Sequence, residues 1–96
     1  MFGLDKLKDF KKNAEEAKAR LDSITVDGVA GSNLVTVTCT ASKKVVNIDI
    51  SETVLRTATK QDAEKLILEA INNAMLQADR VAESEMRSIL PNIPGL

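Results

Sequence analysis

The stretch of residues 59–90 constrains the fold more than any other part of the chain, because it contains neither glycine nor proline. Thr59, followed three residues later by Asp62, is typical of a helix N-terminus, and Pro91 prevents continuation. The apolar residues recur at intervals of three and four, the period of an amphipathic helix; they include Ile67, Ala70, Ala74, Ala78 and Val81. These signals predict one long helix of about 45 Å at ~1.5 Å per residue.

A second helical pattern occupies residues 4–22. Its apolar positions recur every three or four residues, as in the seam of a coiled coil, at Leu7, Phe10, Ala14, Ala17 and Leu21. The residues between them are mostly charged. We therefore predict an N-terminal helix that packs one narrow face against another helix.

Three short segments between these helices are dominated by β-branched residues, which favour strands; they span residues 24–29, 34–40 and 45–50. The first turn is marked by Gly28, Gly31, Ser32 and Asn33, and Ser51 begins a predicted helical turn over residues 51–58. The predicted fold class is α+β: an N-terminal helix, a three-stranded antiparallel meander, a short helical turn and a long C-terminal helix.

Alternation along the strands predicts that the sheet has one apolar face and one face rich in threonine. Val35, Val37 and Cys39 lie on the apolar side, whereas Val45 is predicted on the opposite side. We expect residues 1–90 to form a single domain and residues 91–96, with Pro91 and Pro94, to form a flexible tail.

The long helix outreaches any sheet that this chain can build, since a six-residue strand covers only about 20 Å. A three-stranded sheet also has two open edges, which invite pairing with another strand. We therefore predict a homodimer with protruding helical arms. The alternative is a monomer whose first helix covers the apolar seam of the long one.

The composition excludes several kinds of function. The chain has no histidine and only one cysteine, Cys39, so neither an enzyme, a metal site, a cofactor nor a small-molecule substrate is expected. No apolar run approaches 18 residues, so no membrane span is expected. The start of the chain lacks the apolar core of a signal peptide, which favours a cytoplasmic protein. The net charge of −1 counts against nucleic acid as a partner.

Clustered cations are the remaining signal of a binding function. They lie at the start of the first helix, between the second and third strands, and in the far half of the long helix: Lys6, Lys8, Lys11, Lys12, Lys43, Lys44, Arg80 and Arg87. A surface of mixed charge is the alternative interpretation. Contacts between such cations and phosphates give affinity without sequence readout.

Four stretches of this sequence together resemble one family. They are the start Met1-Phe2-Gly3, the turn and strand of residues 31–37, the segment Val46-Asn47-Ile48-Asp49-Ile50, and the spaced alanines with asparagine in residues 70–78. In this order, with the predicted elements, they resemble the YbaB/EbfC nucleoid-associated proteins. The resemblance implies a homodimer with tweezer-like arms that binds double-stranded DNA largely without sequence specificity, and that organises the bacterial nucleoid.

The leading hypothesis is therefore a nucleoid-associated, DNA-binding dimer that contacts the phosphate backbone through the cations named above. The alternative is an adaptor or chaperone-like dimer whose apolar arm seams bind a partner protein, with no DNA binding.

Overall fold

The computed structural model describes the backbone of residues 2–89 and, within that range, the side chains of residues 9 and 11–88. Its elements are α1 (Phe2–Ser23), β1 (Thr25–Ala30), β2 (Val35–Thr40), β3 (Val45–Ile50), α2 (Glu52–Thr57) and α3 (Lys60–Ile89). The predicted α+β class and element order are confirmed. The predicted tail, residues 91–96, lies outside the described residues.

The three strands form one antiparallel sheet in the order β1-β2-β3. Val35, Val37 and Cys39 are fully buried on the face that carries the helix, as the alternation predicted. The pairing shifts between Thr38 and Cys39, so that Val45 lies opposite Cys39. Directly paired residues share a face of a sheet. Val45 therefore belongs to the apolar face, and the prediction that put it on the threonine face was wrong.

Helix α3 crosses the sheet over β1 and β2, where its alanines pack directly on the strands. Ala70, Ala74 and Ala78 are completely buried. Gly28 lies under this crossing, and a Cβ atom there would lie 2.1 Å from the backbone nitrogen of Ala74 and 2.3 Å from the carbonyl oxygen of Ala70. Gly28 is thus a packing residue in the middle of β1, and its predicted place at a turn was wrong.

Side-chain caps fix the starts of the last two helices. The backbone N–H of Asp62 donates to Thr59 Oγ1 at 3.1 Å, and that of Val54 donates to Ser51 Oγ at 3.4 Å. Each bond satisfies an N–H group that has no partner within its helix. Both predicted helix starts are therefore confirmed, and α2 buries Val54 in the core.

The far half of α3 extends beyond the sheet, and α1 packs against it in the antiparallel direction. Arg20 Nε lies 3.7 Å from Glu85 Oε2, and Ala17 is buried. Met86 nevertheless stays 47% exposed, so α1 covers only part of this half. We call α1 together with residues 79–89 the arm. It accounts for the elongated shape, which measures 66 × 25 × 17 Å. No helix within residues 2–89 is long and apolar enough to cross a bilayer.

Candidate nucleic-acid interface

The turn between β2 and β3 is fixed at the base of the arm, between its two helices. Ser42 Oγ donates to Asp22 Oδ1 at the end of α1, and Thr40 and Ser42 share a hydroxyl hydrogen bond of 2.7 Å. On the other side, Lys43 Nζ lies 2.5 Å from Asp79 Oδ1 of α3. Lys43 and Lys44 therefore lie at the arm's base, a placement that the sequence alone does not determine.

One row of lysines runs from this turn along α1. Lys11, Lys18 and Asp22 are spaced by seven and four residues, so they lie on one stripe of the helix. Because Asp22 touches the turn, the stripe lies on the turn's side of the arm. We call this set the turn-side row; its members are Lys11, Lys18, Lys43 and Lys44, all exposed. Sequence analysis missed Lys18, although its spacing of seven from Lys11 was a usable signal.

Arg80 and Arg87 lie on a different side of the arm. They continue a stripe that begins at Asn73, at intervals of seven residues. The Asn73 Nδ2 group donates to the carbonyl oxygen of Val29 at 2.9 Å, which places this stripe at the β1 edge of the sheet. The turn-side row lies at the β3 edge instead. The structure thus separates cations that the sequence grouped together.

The remaining predicted cations belong to α1. Lys12 is exposed and directly follows Lys11, so it lies on a neighbouring side of α1 and not in the turn-side row. Lys6 and Lys8 lie within the helical span of α1, but their side chains fall outside the described ones.

The sheet itself offers phosphate no favourable surface. Asp27 and Asp49 lie on the face that α3 leaves open, where Asp27 accepts a hydrogen bond of 2.6 Å from Thr38 Oγ1. Like charges repel, so this face disfavours an anion. Lys11, Lys18 and Lys44, by contrast, have no carboxylate within ion-pair distance among the described side chains.

An uncovered apolar surface lies on the same side of the molecule as the turn-side row. Leu68, Met75 and Met86 share one stripe of α3 with Asp79, which marks the β3 side. Ile48 pairs with the buried Val37 and so faces α3, yet it is 44% exposed because α3 packs over β1 and β2. We call this set the β3-side surface; it comprises the exposed Val45, Ile48, Leu68 and Met86 and the half-buried Met75.

The sequence matches the profile of the YbaB/EbfC DNA-binding family over residues 3–93. The chain belongs to this family. Among relatives, a "Nucleoid-associated protein" of Flavobacterium johnsoniae is 30% identical, with 97% of this chain and 90% of that protein aligned. One from Neisseria gonorrhoeae is 33% identical, with 88% of this chain and 78% of that protein aligned.

A solved structure shows the same fold at low sequence identity. It is the crystal structure of the uncharacterized protein HP0035 from Helicobacter pylori, with a TM-score of 0.75 and 15% identity. The similarity covers 88% of this chain and 89% of that one.

The YbaB/EbfC family is a DNA-binding family and not an enzyme family. The one thiol in this chain, that of Cys39, has a structural role. Cys39 is fully buried, and its Sγ donates to the carbonyl oxygen of Ala74 at 3.6 Å. Burial raises the pKa of the Cys39 thiol, and the negative charge of Asp27 raises it further. A protonated thiol is a poor nucleophile. Within the described residues, no three His, Cys, Asp or Glu side chains come together as a metal site.

Proposed function

We propose that this protein binds double-stranded DNA through the phosphate backbone, with little sequence specificity, as a nucleoid-associated homodimer in the bacterial cytoplasm. The family and the names of the relatives support the DNA-binding role. The observation that carries the proposed mechanism is the turn-side row, a line of exposed lysines on an arm that projects beyond the sheet.

The chemistry of the turn-side row suits phosphate and does not suit base recognition. A lysine ammonium is a mobile point charge that binds phosphate oxygens without fixed geometry. Contacts of this kind position a protein on the duplex and carry no sequence information. The whole chain also has no tryptophan or tyrosine and only two phenylalanines, which leaves few rings for stacking on bases.

A second copy of the chain completes the proposed interface. Asn73 occupies part of the β1 edge, whereas β3 is an edge strand whose residues are all exposed or half-buried. Two copies related by a two-fold axis can pair their β3 edges with each other. The same arrangement can cover the β3-side surface of both copies. Because the turn-side row lies on the same side, the rows of the two arms then face each other across the space between the arms.

The dimer is testable with Ile48→Asp. We expect this substitution to raise the dimer dissociation constant at least about a hundredfold, because burial of an unpaired carboxylate costs several kcal/mol. The isolated chain should tolerate it, since Ile48 is 44% exposed there. Sedimentation velocity at micromolar protein measures the change.

Val29→Asp is the matched control for the dimer experiment. Val29 is 42% exposed, also lies in an edge strand, and points to the other face of the sheet. The Val29→Asp substitution should therefore leave the dimer intact. Equal weakening by both substitutions, or a parent protein that sediments as a monomer, would contradict the proposed dimer.

A titration of labelled duplex DNA at two salt concentrations tests the function. If the two rows neutralise about six phosphates, the affinity should fall roughly a thousandfold between about 50 and 200 mM salt. Two unrelated duplex sequences of equal length should give nearly equal affinities. A dimeric protein that binds neither duplex at the lower salt concentration would favour the adaptor alternative instead.

A further inference from the structure

Lys43 differs from the other lysines of the turn-side row because it already has an anionic partner. Its Nζ atom lies 2.5 Å from Asp79 Oδ1. Lys11, Lys18 and Lys44 have no carboxylate at such a distance among the side chains that the structure describes. One of the four charges in the row is therefore neutralised from within the protein.

Both ends of this ion pair are held by well-anchored backbone. The N–H of Lys43 donates to the carbonyl oxygen of Thr40 at 2.9 Å, and the N–H of Ala41 donates to the carbonyl oxygen of Ile24 at 2.8 Å. Lys43 takes a left-handed conformation within this turn, with φ of 71°. Asp79 follows directly on Ala78, which is completely buried against the sheet. The pairing is therefore built into the fold.

The pair remains accessible from the solvent. The side chain of Lys43 is 53% exposed and that of Asp79 is 51% exposed. A phosphate oxygen can thus reach the ammonium group, and exposed ion pairs are weak enough to be exchanged. A carboxylate and a phosphate bind an ammonium group by the same charge-assisted hydrogen bonds. They compete for Lys43 directly.

We propose that Asp79 is an internal competitor of DNA phosphate for Lys43, and that it holds the affinity for DNA below the level that the lysine row alone would give. This inference rests on the proposed function and adds a named residue that limits it. DNA binding displaces Asp79 from Lys43, so only part of the attraction between Lys43 and phosphate is gained.

The substitution Asp79→Asn tests this inference, because asparagine keeps the shape of the side chain and removes its charge. We expect the variant to bind a 30-base-pair duplex roughly three to ten times more tightly near 100 mM salt, because Lys43 then binds phosphate without first losing its contact with Asp79. Unchanged affinity would overturn the inference.

Two further variants separate competition for Lys43 from a general gain of positive charge. Glu83→Gln removes one carboxylate on the same helix, one turn beyond Asp79, where Glu83 is exposed and is in none of the described ion pairs. It should change the affinity less than about twofold, because salt screens charges that make no direct contact. In a Lys43→Gln background, Asp79→Asn should also change the affinity less than about twofold.

The set of variants distinguishes failure of this inference from failure of the proposed function. If the parent binds and Asp79→Asn acts equally with or without Lys43, the competition is wrong and the function stands. If the parent does not bind but Asp79→Asn does so through Lys43, the competition is supported. If none of the variants binds, both the function and the inference are overturned.

Discussion

Replacing Gly28 by alanine is expected to lower the melting temperature by more than about 10 °C. The added Cβ would lie 2.1 Å from the backbone nitrogen of Ala74 and 2.3 Å from the carbonyl oxygen of Ala70. These are backbone atoms of a helix, so no rotation of a side chain relieves the clash. Overpacking of this kind costs about 3 kcal/mol or more, and in a domain of this size each kcal/mol shifts the melting temperature by about 4–8 °C.

The destabilisation should extend beyond Gly28, because α3 covers the core of the domain at this crossing. Lifting α3 there separates Ala70, Ala74 and Ala78 from the valines of β2 that they bury. It also breaks the bond from Asn73 to the carbonyl oxygen of Val29. The effect is purely steric, since the backbone of Gly28 is not in the left-handed region.

Thermal unfolding followed by circular dichroism measures this effect, with Val29→Ala as control. Val29 is the next residue in β1, is 42% exposed and points away from α3, so its truncation should cost about 1 kcal/mol at most. A Gly28→Ala protein that melts within about 3 °C of the parent would show that α3 does not rest on β1 as closely as described.

The parts of the fold that local chemistry determines could be predicted from the sequence. The apolar period of α3, the cap formed by Thr59 and the alternation of Val35, Val37 and Cys39 each arise within a few neighbouring residues. The overhang of α3 followed from the lengths of a helix and a strand alone. Such features need no knowledge of what packs against them.

The features that sequence analysis missed depend on contacts between distant segments. Gly28 lies close to Gly31 in the sequence, so it was taken for part of a turn; only the path of α3 reveals its packing role. Val45 changes face because the pairing with β2 shifts by a residue, which no pattern within β3 records. The pairing of Lys43 with Asp79 joins positions 36 residues apart.

The candidate site shows the same division. The cations were recognisable as a set, and heptad spacing links Lys11 to Lys18 and Arg80 to Arg87. The spacing cannot say on which side of the arm each pair lies. Asp22 and Asn73 settle this through their contacts with the β2–β3 turn and with the β1 edge. Sequence therefore predicts the charges, and tertiary contacts sort them into two rows.

Neutralising the turn-side row should reduce DNA binding at least about a hundredfold near 100 mM salt. The test variant combines Lys11→Gln, Lys18→Gln and Lys44→Gln, which are exposed and have no described ionic partner whose loss would disturb the fold. Each lost phosphate contact removes about 0.9 from the slope of log affinity against log salt. Titration of a duplex at several salt concentrations measures both quantities, and sedimentation checks that the variant is still a dimer.

A second triple variant of equal charge decides whether the position of the cations matters. Lys12→Gln, Arg80→Gln and Arg87→Gln remove three exposed cations from the same arm but outside the turn-side row. This variant should lose less than about fivefold in affinity, because long-range attraction is screened within about 10 Å near 100 mM salt. Equal losses in the two variants would mean that DNA responds only to the net charge of the arm. A larger loss in the second would move the interface away from the turn-side row, toward Lys12, Arg80 and Arg87.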